Sequence, residues 1–158
     1  MVASAIPAIL DALLDQLGAP LEEATGAPVR ILDGFEATPD DPGDFVMVGI
    51  EDPDTDDLGW AGESTAEWAH AGGTERDEAG TVTCSALSWN GDGDPRLART
   101  RVYRLVDGVA GYLTEHYTLG IPYVLWLTFG GDMQFSQQQG SGGASAIVVF
   151  KLAFRARI

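Results

Sequence analysis

The sequence predicts an α+β fold, with two helices packed on a mixed or antiparallel β-sheet and a long acidic loop or arm. Three observations predict it. Two stretches have the helical period of apolar residues, several others have strand length and composition, and the C-terminal run alternates strictly. The chain has 158 residues, 45 % of them apolar and 21 % charged, so a single domain over 1–158 with an ordinary core is expected.

The first helix is marked by Ile6, Ile9, Leu10, Leu13, Leu14 and Leu17, which fall on one face. Ser4 suits its N-cap and Pro7 its first turn, where a missing N–H costs little. Gly18 is expected to end it and Pro20 to prevent its return, leaving a Gly/Pro linker through Gly26 and Pro28. Residues 29–32 read as a short strand closed by Asp33 and Gly34, and 39–43 as a turn cluster. The compact apolar run 45–50 reads as a central strand. An acidic, Gly/Pro/Asp-rich loop follows, and 64–73 is expected to be a further strand or part of an arm over 51–73. Thr81, Val82, Thr83 and Cys84 favour a strand over 76–89.

Asp94 suits an N-cap and Pro95 the first helical position of a second helix, which runs to about His116. Its apolar side is Leu97, Val102, Leu105, Val106, Val109 and Leu113, and Gly108 and Gly111 offer close packing on a sheet. Residues 123–129 are almost wholly apolar and read as a strand covered on both faces. Two more strands, 133–139 and 144–158, are joined by a Gly-Ser-Gly-Gly turn. In the last of them Val148, Phe150, Leu152, Phe154, Ala156 and Ile158 share one face, and Lys151, Arg155 and Arg157 the other.

Charge is placed unevenly. Residues 1–80 carry 19 acids and two bases, and 81–158 carry five acids and seven bases, so −17 and +2 sum to the net −15. A chain this acidic is a poor candidate for gripping nucleic acid as its main task. A solvated acidic loop is one reading of the asymmetry. Self-association, acidic part to basic part, is another. No apolar run is long enough to span a membrane, and no basic segment precedes the first apolar run as a signal peptide requires.

The candidate chemistry is sparse. Asp52, Asp54, Asp56 and Glu63 imitate the ligand spacing of a calcium loop, but Asp57 stands where the sharp turn needs Gly. That loop would suit a calcium-binding accessory domain. His70 and His116 lack metal-ligand spacing, and no nucleophile-elbow or phosphate-loop motif is present. Cys84 reads as a small buried apolar residue. These absences argue against an enzyme, and no cofactor is expected. Trp89 and Trp126 read as core, while Trp60 and Trp68, in the acidic region, read as interface anchors or as side chains folded back on their own domain. Candidate interface residues are therefore Lys151, Arg155, Arg157, Trp60, Trp68, Asp52, Asp54 and Asp56.

The whole pattern has a familiar order. An Ile/Leu-rich helix precedes Val29-Arg30-Ile31-Leu32-Asp33-Gly34 and then Asp44-Phe45-Val46-Met47-Val48-Gly49-Ile50. Arg76-Asp77-Glu78 leads into Thr81-Val82-Thr83-Cys84, and Trp89-Asn90-Gly91-Asp92 into an Arg-rich helix. Phe154-Arg155-Ala156-Arg157-Ile158 closes the chain. This combination resembles the tail-terminator, or tail-completion, proteins of long-tailed bacteriophages, in the version found in phages of high-GC actinobacteria.

The resemblance implies a virion structural protein, assembled in the host cytoplasm as a homohexameric ring. The ring would cap the tail tube formed by the major tail tube protein, end its polymerisation and present a docking surface to the head-neck connector protein. Double-stranded DNA would pass through it without specific binding, and the acidic excess would suit a channel wall that repels phosphate. A head–tail connector of related fold, and an acidic binding module such as an inhibitor or DNA mimic, are the rival expectations. The basic face of the last strand is expected to meet acids of a neighbouring subunit.

Overall fold

The computed structural model describes residues 2–34, 43–50 and 59–158. Three helices, α1 (Ile6–Gln16), α2 (Gly18–Thr25) and α3 (Pro95–Glu115), lie on one face of a six-stranded sheet. The strands are β1 (Val29–Asp33), β2 (Asp44–Val48), β3 (Gly62–Trp68), β4 (Arg76–Asn90), β5 (Val124–Gly140) and β6 (Gly143–Arg157). Their order is β1-β2-β4-β6-β5, with β3 on the same edge of β4 as β2. Only β1 and β2 run parallel, so the sheet is mixed, as the sequence predicts.

The first helical stretch does not stop at Gly18. It hitches at Leu17 and resumes at once as α2, because the buried stripe Ile9, Leu13, Leu17 and Leu21 continues every fourth residue through the break. Pro20 has no N–H to donate to the carbonyl one turn back, which interrupts the helix. In the first turn of α2 that loss costs little. The chain turns out at Gly26, whose φ of 69° is left-handed. Helix α3 starts where expected, with the Asp94 carboxylate accepting from the N–H groups of Arg96 and Leu97.

The main core lies between helices and sheet. Val46 and Val48, Val82 and Cys84, and Val148 through Ala156 in alternation meet Val102, Leu105, Val109 and the α1–α2 stripe. Gly108 packs against α2 and not against the sheet. A Cβ there would stand 2.7 Å from Leu21 Cδ2, so only glycine lets the helices approach this closely. A second, smaller cluster of Leu32, Phe45 and Met47, with Ile50 and Leu87, lies on the helix-free side.

Of the two readings of 64–73 the structure takes the strand, and two other strand expectations change. That strand, β3, over Gly62–Trp68, forms a hairpin with β4. Gly80 allows it: a Cβ would lie 2.2 Å from the carbonyl oxygen of Glu63. Four strands therefore precede α3 and two follow it. Residues 123–129 and 133–139 merge into one strand, β5, with a bulge between Phe129 and Met133. The first part of β5 is not covered on both faces. It is a sheet edge with helices on one side only, so Val124 and Leu127 are buried while Leu125 and Trp126 are exposed. Trp126 is thus not core, and Trp89 is only half-buried.

One buried carboxylate joins the layers. Glu78, in β4, is 1 % exposed and accepts from Ser4 Oγ (2.5 Å), the N–H of Ala5 (2.7 Å) and Ser64 Oγ (2.6 Å). Ala5, not Ser4, is the N-cap of α1, and the cap comes from another strand. Replacing Glu78 with Gln puts an amide N–H₂ among three donors. The expected cost is about 1–3 kcal/mol in urea unfolding, with faster amide exchange in β3. Unchanged stability would mean that the three bonds contribute nothing net.

Candidate assembly interface

The basic face of β6 is built by strand alternation and set beside acids by register. Arg157 pairs with Asp77, and Arg155 with Ala79, across the β4–β6 ladder. Asp77 then sits between both guanidiniums. Its Oδ1 accepts from Arg157 Nε at 2.8 Å, its Oδ2 from Arg157 Nη2 at 3.1 Å, and Arg155 Nη2 lies 3.6 Å from Oδ2. Lys151 Nζ lies 3.9 Å from Glu63 Oε1. The three bases expected to meet a neighbour are thus already engaged within the chain. Hydrogen bonding from Arg157, then the charges of both arginines, hold the Asp77 carboxyl below its ordinary value.

Trp60 and Trp68 project into solvent, at 73 % and 67 % exposure. They bracket β3, so neither folds back on its own domain. Glu63 lies in β3 itself. Asp52, Asp54 and Asp56 lie outside the described residues, and the calcium-loop reading rests mainly on them. Among the described residues, no group of three or more His, Cys, Asp or Glu stands ready to hold a metal. His70 sits in the β3–β4 turn, and His116 stacks on Tyr112 at 4.2 Å. Cys84 is fully buried on the helix side of β4, and burial pushes its thiol up to about 12. Among the described helices, none is long and apolar enough to cross a membrane.

The feature missed in the sequence is the outer edge of β5. This strand has seventeen residues and, among the described strands, pairs only with β6. From Gly130 to Gly140 every residue is exposed, Met133 and Phe135 by 47 % and 40 %. Its helix side is held by Tyr103, whose ring lies 5.6 Å from that of Phe135, and by Arg99 Nη1 donating to Gln137 Oε1 at 3.2 Å. Asp132 is its one charged residue. A long edge with a single charge and apolar side chains is a template for pairing with another strand, and the bulge beside Asp132 is its one evident blunting device. The run of Gln and Ser at 134–139 was the available signal, since a strand without charge in so acidic a chain is unusual.

Compared with models of protein families and with curated proteins, the chain matches none.

Two outcomes follow from the site chemistry. Asp77 is depressed in the folded state, so its contribution to stability is present above the ordinary carboxylate value and is lost as pH falls through the folded one. Asp77→Asn should destabilise the protein at neutral pH, and its difference from the parent should shrink as pH falls through the depressed folded-state value in paired urea titrations. A thiol reagent at mildly alkaline pH should leave the folded chain unmodified and label Cys84 only after unfolding. Rapid labelling of folded protein would contradict its burial.

Proposed function

We propose that this chain is a structural protein of the phage virion, a tail terminator that assembles as a ring on the end of the tail tube. In this reading the ring ends tube polymerisation and joins the tail to the neck, and DNA passes through it. The sequence resemblance supplies the biological setting. The observation that carries the reading is the β5 edge, a strand with one charged residue on which Leu125, Trp126, Met133 and Phe135 are exposed.

The argument is electrostatic as well as steric. Copies carrying −15 each repel one another, and salt screens this only beyond about 10 Å. Contact between copies is therefore least costly where charge is scarce, and β5 is such a place. Backbone pairing along the edge would add directional hydrogen bonds, and Met133 and Phe135 would lose water on contact.

Light scattering after size exclusion, with and without purified tail tubes, tests the reading. A ring in solution or at tube ends is expected. A stable monomer that ignores tubes would overturn it, and capture by the head-side connector alone would point to a neck protein. A Met133→Lys, Ser136→Lys double variant places two lysines on exposed positions of β5 and should fold normally but fail to assemble. Assembly like that of the parent would remove β5 from the interface.

A further inference from the structure

At the end of the sheet away from the β3–β4 turn, two clefts of about 310 and 290 Å³ adjoin and share Ala27, Asp44 and Arg101. They form one groove between α3, the α2–β1 turn and the start of β2. Its cations come from two elements. Leu97, Arg101 and Arg104 recur at helical spacing along one side of α3, and Arg30 stands on β1 with its guanidinium 5.5 Å over the Phe45 ring.

Among the described residues Arg30, Arg101 and Arg104 make no salt bridge, whereas Lys151, Arg155 and Arg157 all do. Among the described residues that line the groove the one carboxylate is Asp44, which is 6 % exposed and accepts from Ser88 Oγ at 2.6 Å. Among the described lining residues three guanidiniums stand against one bonded carboxylate, a net positive set on a protein of net −15. Guanidinium pairs are shaped for bidentate carboxylates or phosphates. A polyanion as long as a DNA duplex would meet the repulsion of the whole molecule, whereas a short acidic protein segment would not.

The opposite end of the sheet carries such a segment. Asp44 is in register with Ser88, and Trp68 with Arg76, so the groove and the tip of β3 lie about 40 Å apart along β4 at the usual rise per residue. Around that tip Glu67 and Glu75 are exposed and make no salt bridge among the described residues; Arg155 lines a cleft with Glu67, Arg157 feels the charge of Glu75, and Trp68 presents its ring beside them. We infer that the groove lined by Arg30, Arg101 and Arg104 is a socket for the acidic β3 arm of a second copy of this chain.

This contact rests on the self-assembly reading above and deepens it. Carboxylates of Glu67 and Glu75 meet the arginines, and the Trp68 ring stacks on a guanidinium. Because the two surfaces differ and lie at opposite ends of the molecule, the contact is head-to-tail. Such a contact closes into a ring when the rotation per copy permits and never stops at a two-fold dimer.

A charge swap tests it. One variant carries Arg101→Glu and Arg104→Glu, the other Glu67→Arg and Glu75→Arg. All four positions are at the surface, and thermal melts check folding. Each variant alone should need at least about a tenfold higher concentration to associate, in solution or on tail tubes. An equimolar mixture should recover the mass of the parent assembly, since swapped groove meets swapped arm and native groove meets native arm. If the parent associates and either variant does so equally well alone, the socket is wrong while the ring reading stands. If the mixture fails to recover, the arm is not the occupant. If a short DNA duplex binds the parent and not the groove variant, the occupant is a phosphate and the copy-to-copy assignment falls. A parent that never associates, alone or on tubes, removes both readings.

Discussion

The carboxylate of Glu78 is the point at which three separately encoded parts of the chain meet. It belongs to β4, it caps the start of α1 through the Ala5 N–H, and it takes the Ser64 hydroxyl of β3. A buried acid is costly unless its acceptor sites are filled, and here three donors fill them. The placement of α1 and the attachment of β3 are therefore linked. Moving either would leave a charge in the core short of partners.

β4 extends that constraint to the whole molecule. Its fifteen residues pair with β6 along one edge and with both β2 and β3 along the other. Its helix-side positions, Val82, Cys84 and Ala86, carry small or branched side chains under the helices. On the helix-free side Asp77 is where the long ladder to β6 is tied by two arginines. One strand thus sets the distance between the two ends of the sheet, the groove at one and the arm at the other. The distribution of charge follows the same division. The bases of β6 are engaged by acids of β3 and β4, and among the described residues those on α3 and β1 make no salt bridge.

The edge strand shows what assembly and folding ask of the same residues. Phe135 and Gln137 fasten β5 to α3 on one side; near its start the Leu127 N–H donates to the Tyr117 carbonyl, and among the described residues no strand but β6 pairs with it. Soluble proteins ordinarily protect such an edge with lysine, proline or a short strand. A seventeen-residue edge with one acid is tolerable in a chain of high net charge, because repulsion between copies opposes unregulated pairing. Association then requires a matched contact, which favours a defined assembly over open aggregation.

Much of this was legible along the chain. Helix α3 with its Asp94 cap, the alternating β6 and its two unlike faces, the interior β2 and the inertness of Cys84 all follow from period, turn chemistry and residue type, which act over a few residues. What failed failed at longer range. Pro20 spelled a stop, but a buried stripe continuing to Leu21 outweighed it, and only packing against the sheet supplies that stripe's energy. The apolar composition of 123–129 spelled a covered strand, but coverage depends on which strands lie beside it, and β5 proved to be an edge. Lys151, Arg155 and Arg157 were visible as a basic face, yet their partners Glu63 and Asp77 lie about 80 residues away and were assigned by register alone. Residue types and their spacing determined which faces are apolar, basic or acidic. The tertiary structure decided which charges neutralise one another and which stay open to a partner, because that depends on strand pairing between distant segments.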